Sequence, residues 1–518
     1  MFIYIYILPV AALAFSLCMC AMRFMHFFQL NSYKAAEHIP FARRNLSLYA
    51  LSAVYFGAAL LALLMPPAVS AAYVTLISLS YALSFKPASR RITKKPLVYT
   101  HRVLRMFATE ALLALALGAV SLIFMPYRLL PISVAAAFLL CPWLCLAANF
   151  INSPIEKAVR DHYTRDAVSM LRSHPTLKTV AITGSYGKTG TKYYLTTILS
   201  EKYNVLMTPG SFNTPMGVVR TVREGLKATT EVFVCEMGAK YVGDIAELCE
   251  IAEPSLGLIT SIAPQHLETF GSIENVARTK LELSRYLEKK GGALLVNLDS
   301  PLIKENLPKG AISCGVDGDA DFRIENVRAD RNGTSFTLTL TNGASLELTA
   351  PLLGAHNVTN VALASVAALR LGLTPDEIRR GVSHIKTAPH RLEIIHRGND
   401  IIIDDAYNSN PKGSAAALDA LSLFSEHKIL VTPGMVELGD KSDHYNYLFG
   451  KNAAGVCDSI ILVGEKQTEP IRRGIIDGGF DERELHVCER VGDAIRLAGT
   501  LSDRPKVILL ENDLPDNY

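Results

Sequence analysis

Residues 178–192 read Lys-Thr-Val-Ala-Ile-Thr-Gly-Ser-Tyr-Gly-Lys-Thr-Gly-Thr-Lys, a β-branched run that enters a glycine turn and then a Lys-Thr pair. A strand, a glycine turn and a helix start in this order form a phosphate-binding loop, in which backbone N–H groups and the helix N-terminus surround the anion. The loop comprises Gly184, Ser185, Tyr186, Gly187, Lys188, Thr189 and Gly190. Lys188 is placed to reach the β- and γ-phosphates of ATP, and Thr189 to hold Mg²⁺. The usual spacing has a further glycine five residues before Gly187, where this chain has Ile182. The loop is therefore a variant built on Gly184-x-x-Gly187. An ordinary glycine-rich turn is the competing reading.

The chain changes character near residue 150. Its 518 residues are too many for one core. Charged residues are 19% of the total, below the usual quarter, and the deficit lies at the front. Five apolar stretches near 3–22, 46–66, 68–85, 107–125 and 130–150 fit bilayer spans. The first lacks the charged leader of a cleavable signal. The loop after the first span carries Arg23, Lys34, Arg43 and Arg44 against Glu37. The loop after the third carries Lys86, Arg90, Arg91, Lys94, Lys95, Arg102 and Arg105 with no acid. Positive loops face the cytoplasm, so the N-terminus is expected outside and everything after residue 150 in the cytosol with ATP. Membrane lipid is thus an expected partner. A net charge of +3 gives no reason to expect nucleic acid. The nine cysteines are scattered without a Cys-x-x-Cys pair, as suits a reducing compartment.

Residues 151–177 read as a juxtamembrane helix. Apolar strands at 178–183, 231–237, 255–260 and 292–296 then alternate with helical stretches, predicting a parallel α/β sheet. Residues 321–350 alternate at period two and contain Asn332-Gly333 and Asn342-Gly343, both hairpin signals. A helical pair follows at 358–384. A second series has strands near 400–404, 428–432, 459–463 and 506–510. The expected domains are a membrane region 1–150, a linking helix 151–177, an ATP-binding domain 178–388 and a smaller Rossmann-like domain 389–518.

Further polar residues fall at strand ends, where parallel sheets bind ligands. Glu236 closes the strand Val-Phe-Val-Cys-Glu and is placed to bind Mg²⁺. His266 lies in Pro-Gln-His-Leu-Glu-Thr-Phe-Gly and is a candidate metal ligand; Lys280 follows on the next helix. Asn297 and Asp299 follow a strand, and His356, Asn357 and Asn360 open a helix, where they serve either a base or a cap. Arg391 sits at the domain boundary, within reach of phosphates. Asp404-Asp405-Ala-Tyr407-Asn408-Ser-Asn410-Pro is a dense polar loop that packing does not explain.

These motifs, with Ser211-Phe-Asn213-Thr214-Pro, Gly354-x-His356-Asn357, Arg391-Leu-Glu393 and Gly434-Met-x-Glu437-Leu-Gly439, occur in an order that resembles the Mur ligase family, most closely its MurF-type branch. The resemblance covers roughly 178–510. It implies an ATP-dependent carbon–nitrogen ligase that passes through an acyl phosphate and adds D-alanyl-D-alanine to UDP-MurNAc-tripeptide in cell-wall synthesis. It also implies that Thr189 and Glu236 hold one Mg²⁺ ion and His266 the second, with Lys280 carbamylated beside the metals. Asn297, His356, Asn357 and Asn360 then lie around the adenine, Asp405 on the ribose, and Asp299 among the nucleotide-binding residues. Arg391 reaches the phosphates on closure. Asn213, Thr214, Tyr407, Asn408 and Asn410 lie near substrate.

Two departures stand out. Membrane spans replace the nucleotide-sugar domain that precedes the phosphate loop in soluble members. Near the C-terminus, Glu511-Asn512-Asp513 replaces a Lys-Gly-Ser type segment. The acceptor is therefore open between a UDP-linked and a lipid-linked precursor. Two alternatives remain at this stage: a poly-γ-glutamate-type synthase, and an ATPase driving a transporter or signalling module.

Overall fold

The computed structural model describes residues 7–84, 96–124, 130–265, 267–316, 318–407, 410–436, 438 and 441–512. The expected loop bases from Lys86 to Lys95, and also His266, Asn408, Glu437, Gly439 and Asp513, lie outside these residues. The chain divides into two units, 1–161 with 515–518, and 162–514.

The first unit is helical. Leu8–Leu30, Pro67–Ser84 and Pro131–Arg172 are each long and apolar enough to cross a membrane. The shortest has 18 residues, which at 1.5 Å each is about 27 Å and close to a bilayer's apolar thickness. Over the other two expected spans, the shorter Leu46–Leu60 continues as a 3₁₀ turn through Leu64, and His101–Phe124 covers the fourth; neither is among the three candidate membrane spans of the described residues. Two details differ from the sequence expectation. Ala35–Arg44 forms an extra helix in the first basic loop. The helix expected to end near 150 runs unbroken from Leu130 to Arg172, with Pro142 and Pro154 inside it. The apolar-to-charged transition near 150 is a change of composition along this helix, with no change of backbone.

The second unit holds two sheets. In the first, strands β1 (Lys178–Thr183), β2 (Val205–Met207), β3 (Val232–Glu236), β4 (Leu256–Ile259), β5 (Ala293–Asn297), β6 (Ile312–Gly315), β7 (Phe322–Asp330), β8 (Gly333–Thr339) and β9 (Ser345–Ala350) take the order β2-β3-β1-β4-β5-β6-β7-β8-β9. Pairing is parallel from β2 to β7, and β8 and β9 extend the sheet as antiparallel hairpins. Side chains alternate across β1. Val180 and Ile182 pack with the helices Lys188–Leu199, Val358–Arg370 and Pro375–Ser383. Ala181 faces the opposite core, with Val218, Leu248 and Leu283. Ala167 and Leu171 from the end of the long helix join that second core. Sequence reading missed β2 and β6 because each is only three or four residues long.

The second sheet comprises β10 (Glu393–Arg397), β11 (Asp400–Asp405), β12 (His427–Thr432), β13 (Ser459–Val463), β14 (Leu485–Cys488) and β15 (Lys506–Glu511), in the order β10-β11-β15-β12-β13-β14. Only β10 runs antiparallel. Its burial is light and it lies on the edge, which is why apolar runs did not announce it.

The order β2-β3-β1-β4 makes the C-terminal end of β1 a switch point, where consecutive connections leave to opposite sides and open a crevice. The glycine loop emerges there.

Candidate functional site

The loop between β1 and the helix Lys188–Leu199 is tied to the segment that follows β4. The Ser185 amide donates to the Ser261 carbonyl at 2.8 Å, and the Tyr186 amide to Ser261 Oγ at 2.8 Å. Ser185 Oγ donates to the Ala263 carbonyl at 2.9 Å, and the Tyr186 hydroxyl to the Pro264 carbonyl at 3.1 Å. The glycines are sterically required. Gly187 has φ +83°, and a Cβ there would stand 2.9 Å from the Asn360 side-chain amide. A Cβ on Gly184 would overlap Thr260 Oγ1. Ile182, where a more typical loop has glycine, is fully buried in β1. The turn starts two residues later and keeps that strand position for the core.

Lys188 folds back over the loop, donating to the Gly184 carbonyl at 2.8 Å and the Ser185 carbonyl at 3.1 Å. Burial pulls its ammonium down to about 8; the Glu236 carboxylate opposes this and the Arg391 guanidinium adds to it. A lysine held only by carbonyls in a desolvated loop gains most from an incoming phosphate.

Glu236 pairs in register with Ile182, which brings its carboxylate to the loop. Thr189 Oγ1 donates to Glu236 Oε1 at 3.2 Å, and Asn213 Nδ2 to the same oxygen at 3.1 Å. Glu236 Oε2 is buried without a hydrogen-bond partner and faces the Lys192 ammonium 3.0 Å away. A hydroxyl and a buried carboxylate side by side suit a hard divalent cation such as Mg²⁺. Asn213 therefore braces this carboxylate. Thr214 caps the helix Pro215–Gly225 by accepting from the Gly217 amide.

Lys280 ends the helix Ile273–Lys280 and is 2% exposed. Burial first, and the Lys188 charge second, push its amine down to about 7, with Asp244 and Glu282 opposing. A substantial share of such an amine is uncharged at neutral pH, the form that attacks CO₂.

The other predicted residues are mostly engaged with their own backbone. Asn297 donates to the Thr260 carbonyl at 2.9 Å and accepts from the Asp299 amide at 2.8 Å. Asp299 accepts from the Val316 amide and from Thr359 Oγ1, each at 2.8 Å. Asn357 accepts from the Tyr194 hydroxyl at 3.0 Å. His356 is exposed beside Gly354, whose Cβ would meet its ring. Gly190 lies against Tyr194.

At the junction of the two sheets, His390 and Leu392 both take left-handed backbone angles, φ +59° and +51°. Side chains hold that bend. His390 Nδ1 lies 2.7 Å from Asp404 Oδ2, and the Leu392 amide donates to Asp405 Oδ1 at 3.1 Å. Burial raises the Asp405 carboxyl to about 6, against the Leu392 N–H and Arg391, which lower it. Arg391 stacks its guanidinium 4.6 Å from the Tyr407 ring centroid. Asn410 caps the helix Pro411–Ser422, accepting from the Lys412 and Gly413 amides.

Glu511, at the end of β15, is fully buried and accepts from Thr432 Oγ1 at 3.1 Å. Sequence reading missed Lys192, which is as buried as any core residue. Its signal was available: Lys192 lies four residues from Lys188, on the same helix face.

Comparison with known proteins identifies the two sheet domains. The Mur ligase middle domain model matches residues 182–368, and the Mur ligase, glutamate ligase domain model matches 390–511. The UDP-N-acetylmuramoyl-tripeptide–D-alanyl-D-alanine ligase of Escherichia coli (strain K12) is 32% identical over 313 residues, covering 58% of this chain and 68% of that protein. The enzyme of the same name from Bacillus subtilis (strain 168) is 33% identical over 272 residues, 52% of this chain and 58% of its own length. A crystal structure of MurF from Acinetobacter baumannii superposes with a TM-score of 0.62 at 27% identity, covering 68% of this chain and 78% of that one. MurF ligase from Thermotoga maritima in complex with ADP gives a TM-score of 0.60 at 25% identity, covering 68% and 80%.

Proposed function

Since the chain belongs to the Mur ligase family of ATP-dependent, amide-forming ligases, we propose that it is a membrane-anchored member joining a cell-wall precursor carboxylate to an amine, by the MurF-like addition of D-alanyl-D-alanine. The observation that carries this reading is the meeting of Lys188, Thr189 and Glu236 at the switch point. A pump needs a phosphate loop as well. The bent linker with Arg391 and Asp405 between two sheets serves ligation better, because it lets a second domain present the amine.

Phosphoryl transfer needs positioning and charge neutralisation more than covalent help. The loop amides and Lys188 bind the β- and γ-phosphates, and Lys188 exchanges two carbonyl partners for phosphate oxygens. Thr189 and Glu236 would hold Mg²⁺, which when bound neutralises phosphate charge. The substrate carboxylate oxygen attacks the γ-phosphorus, and the bond to the ADP oxygen breaks. The amine then attacks the acyl carbon and inorganic phosphate leaves, with a proton lost from nitrogen. Arg391 leaves its stack on Tyr407 to pair with phosphate, and Asp405 accepts from the ribose. Lys280, as its carbamate, turns a cation near Lys188 into an anion and so removes a repulsion from the loop.

Lys188→Ala removes the mobile cation. It is expected to lower ATP-dependent product formation by about 10²-fold or more, the scale for losing one transition-state charge contact. Phosphate release and product mass measure this together. An alanine variant with full activity contradicts the reading.

A further inference from the structure

Lys192 lies one helical turn beyond Lys188 and is 0% exposed. Its Nζ donates to the Gly210 carbonyl and stands 3.0 Å from Glu236 Oε2. The Glu236 carboxylate is itself 1% exposed, with Thr189 and Asn213 both on Oε1. A buried carboxylate is costly unless a charge offsets it, and Lys192 supplies that charge here. A divalent cation held by Thr189 and Glu236 would supply it again. Two cations would then share one carboxylate in a site that already holds Lys188, and their repulsion is strong where water is excluded. Nucleotide phosphates supply the negative charge that makes both cations tolerable.

We propose that Lys192 is a positioning residue, the resident counter-ion of Glu236. It compensates the buried carboxylate and keeps divalent affinity low until the nucleotide arrives with its metal. The inference rests on the assignment of Thr189 and Glu236 as metal ligands made above. Packing alone would be served equally well by methionine, so the charge is what the test must address.

The test uses the full chain in detergent, with Mn²⁺ as the probe and free Mn²⁺ read by electron paramagnetic resonance, with and without ADP. Wild type should bind Mn²⁺ much more tightly with ADP than without. Lys192→Met keeps the side-chain length and removes the charge. It should bind Mn²⁺ about tenfold or more tightly without nucleotide, the scale of coupling in close buried charge pairs. That gain should vanish when Glu236→Gln is added. A folded Lys192→Met protein with unchanged or weaker Mn²⁺ affinity overturns the proposal. If that variant does not fold, equal Mn²⁺ affinity of the wild type with and without ADP overturns it. Glu236→Gln alone tests the metal assignment. Intact Mn²⁺–ADP binding in that variant removes the assignment and the counter-ion role together. Loss there, with no gain in Lys192→Met, removes the counter-ion role alone.

Discussion

The residues around the phosphate loop have distinct electrostatic tasks that their neighbours determine. Lys188 and Lys280 are both lysines, yet burial and mutual repulsion bring Lys280 lower, to about 7, while Glu236 helps to hold Lys188 near 8. Only the uncharged amine attacks CO₂, so the carbamate on Lys280 should form increasingly as pH rises through about 7. Carbon-13 NMR with labelled bicarbonate checks this: a carbamate signal is expected in the wild type and none in Lys280→Ala. That variant should lose ligase activity and regain part of it with acetate, a small carboxylate that restores the missing anion. Full activity without acetate would remove the carbamate from the account. At this scale the sequence was legible where residues sit in a motif. Thr189 and Glu236 are in hydrogen-bond contact, and Glu236 acts electrostatically on Lys188. Lys192 was not legible because motif reading stops at the Lys-Thr pair, while helical periodicity carries the same face onward by four residues.

Elements place these residues, and two of them can be tested directly. The phosphate loop turns on Gly187, whose left-handed φ of +83° costs a side-chain-bearing residue about 1–2 kcal/mol. Gly187→Ala should lower both thermal stability and ATP affinity. Asn360→Ala on top should restore part of the loss, since the new Cβ would meet the Asn360 amide. A double mutant no better than the single would place the cost in the backbone alone. The linker turns on Asp405. Its folded-state value of about 6 lies above the ordinary 3.8, so the folded protein holds this proton more tightly than the unfolded chain. Its stabilising contribution is present below pH 3.8 and is lost as pH rises through about 6. Asp405→Asn keeps an acceptor for the Leu392 amide and removes the charge. It should raise the melting temperature at pH 8 more than at pH 5, while weakening ATP if the proposed ribose contact holds; an equal change at both pH values would contradict the pH assignment. Strand order was only partly legible. The long apolar strands were plain, but short β2 and edge strand β10 bury too little to leave a periodic trace, and buried β6 is too short to show one. Capping by Thr214 and Asn410 also illustrates why polar residues near helix starts are ambiguous in sequence.

At the scale of the whole molecule, one chain joins a helical apolar unit to a ligase of two sheets. Charge depletion made the division readable, but the helix from Leu130 to Arg172 ignores the compositional boundary, because both apolar and charged segments can sustain the same backbone. The apolar unit should keep the protein in the membrane fraction after alkaline carbonate washing, and release by carbonate alone would contradict the proposed anchoring. Glu511, at the end of β15, is buried and accepts from Thr432, and the amine substrate is the finer point to establish. The most direct test of the central claim is phosphate release by detergent-purified protein with ATP and Mg²⁺, with products checked by mass. The matrix pairs UDP-MurNAc-peptides, lipid-linked MurNAc-pentapeptide and glutamate with D-alanyl-D-alanine or single amino acids. Release is expected to require both a carboxylate acceptor and an amine, yielding an amide-linked product, with UDP-MurNAc-tripeptide and D-alanyl-D-alanine as the productive pair. Release that proceeds equally without either partner would contradict it.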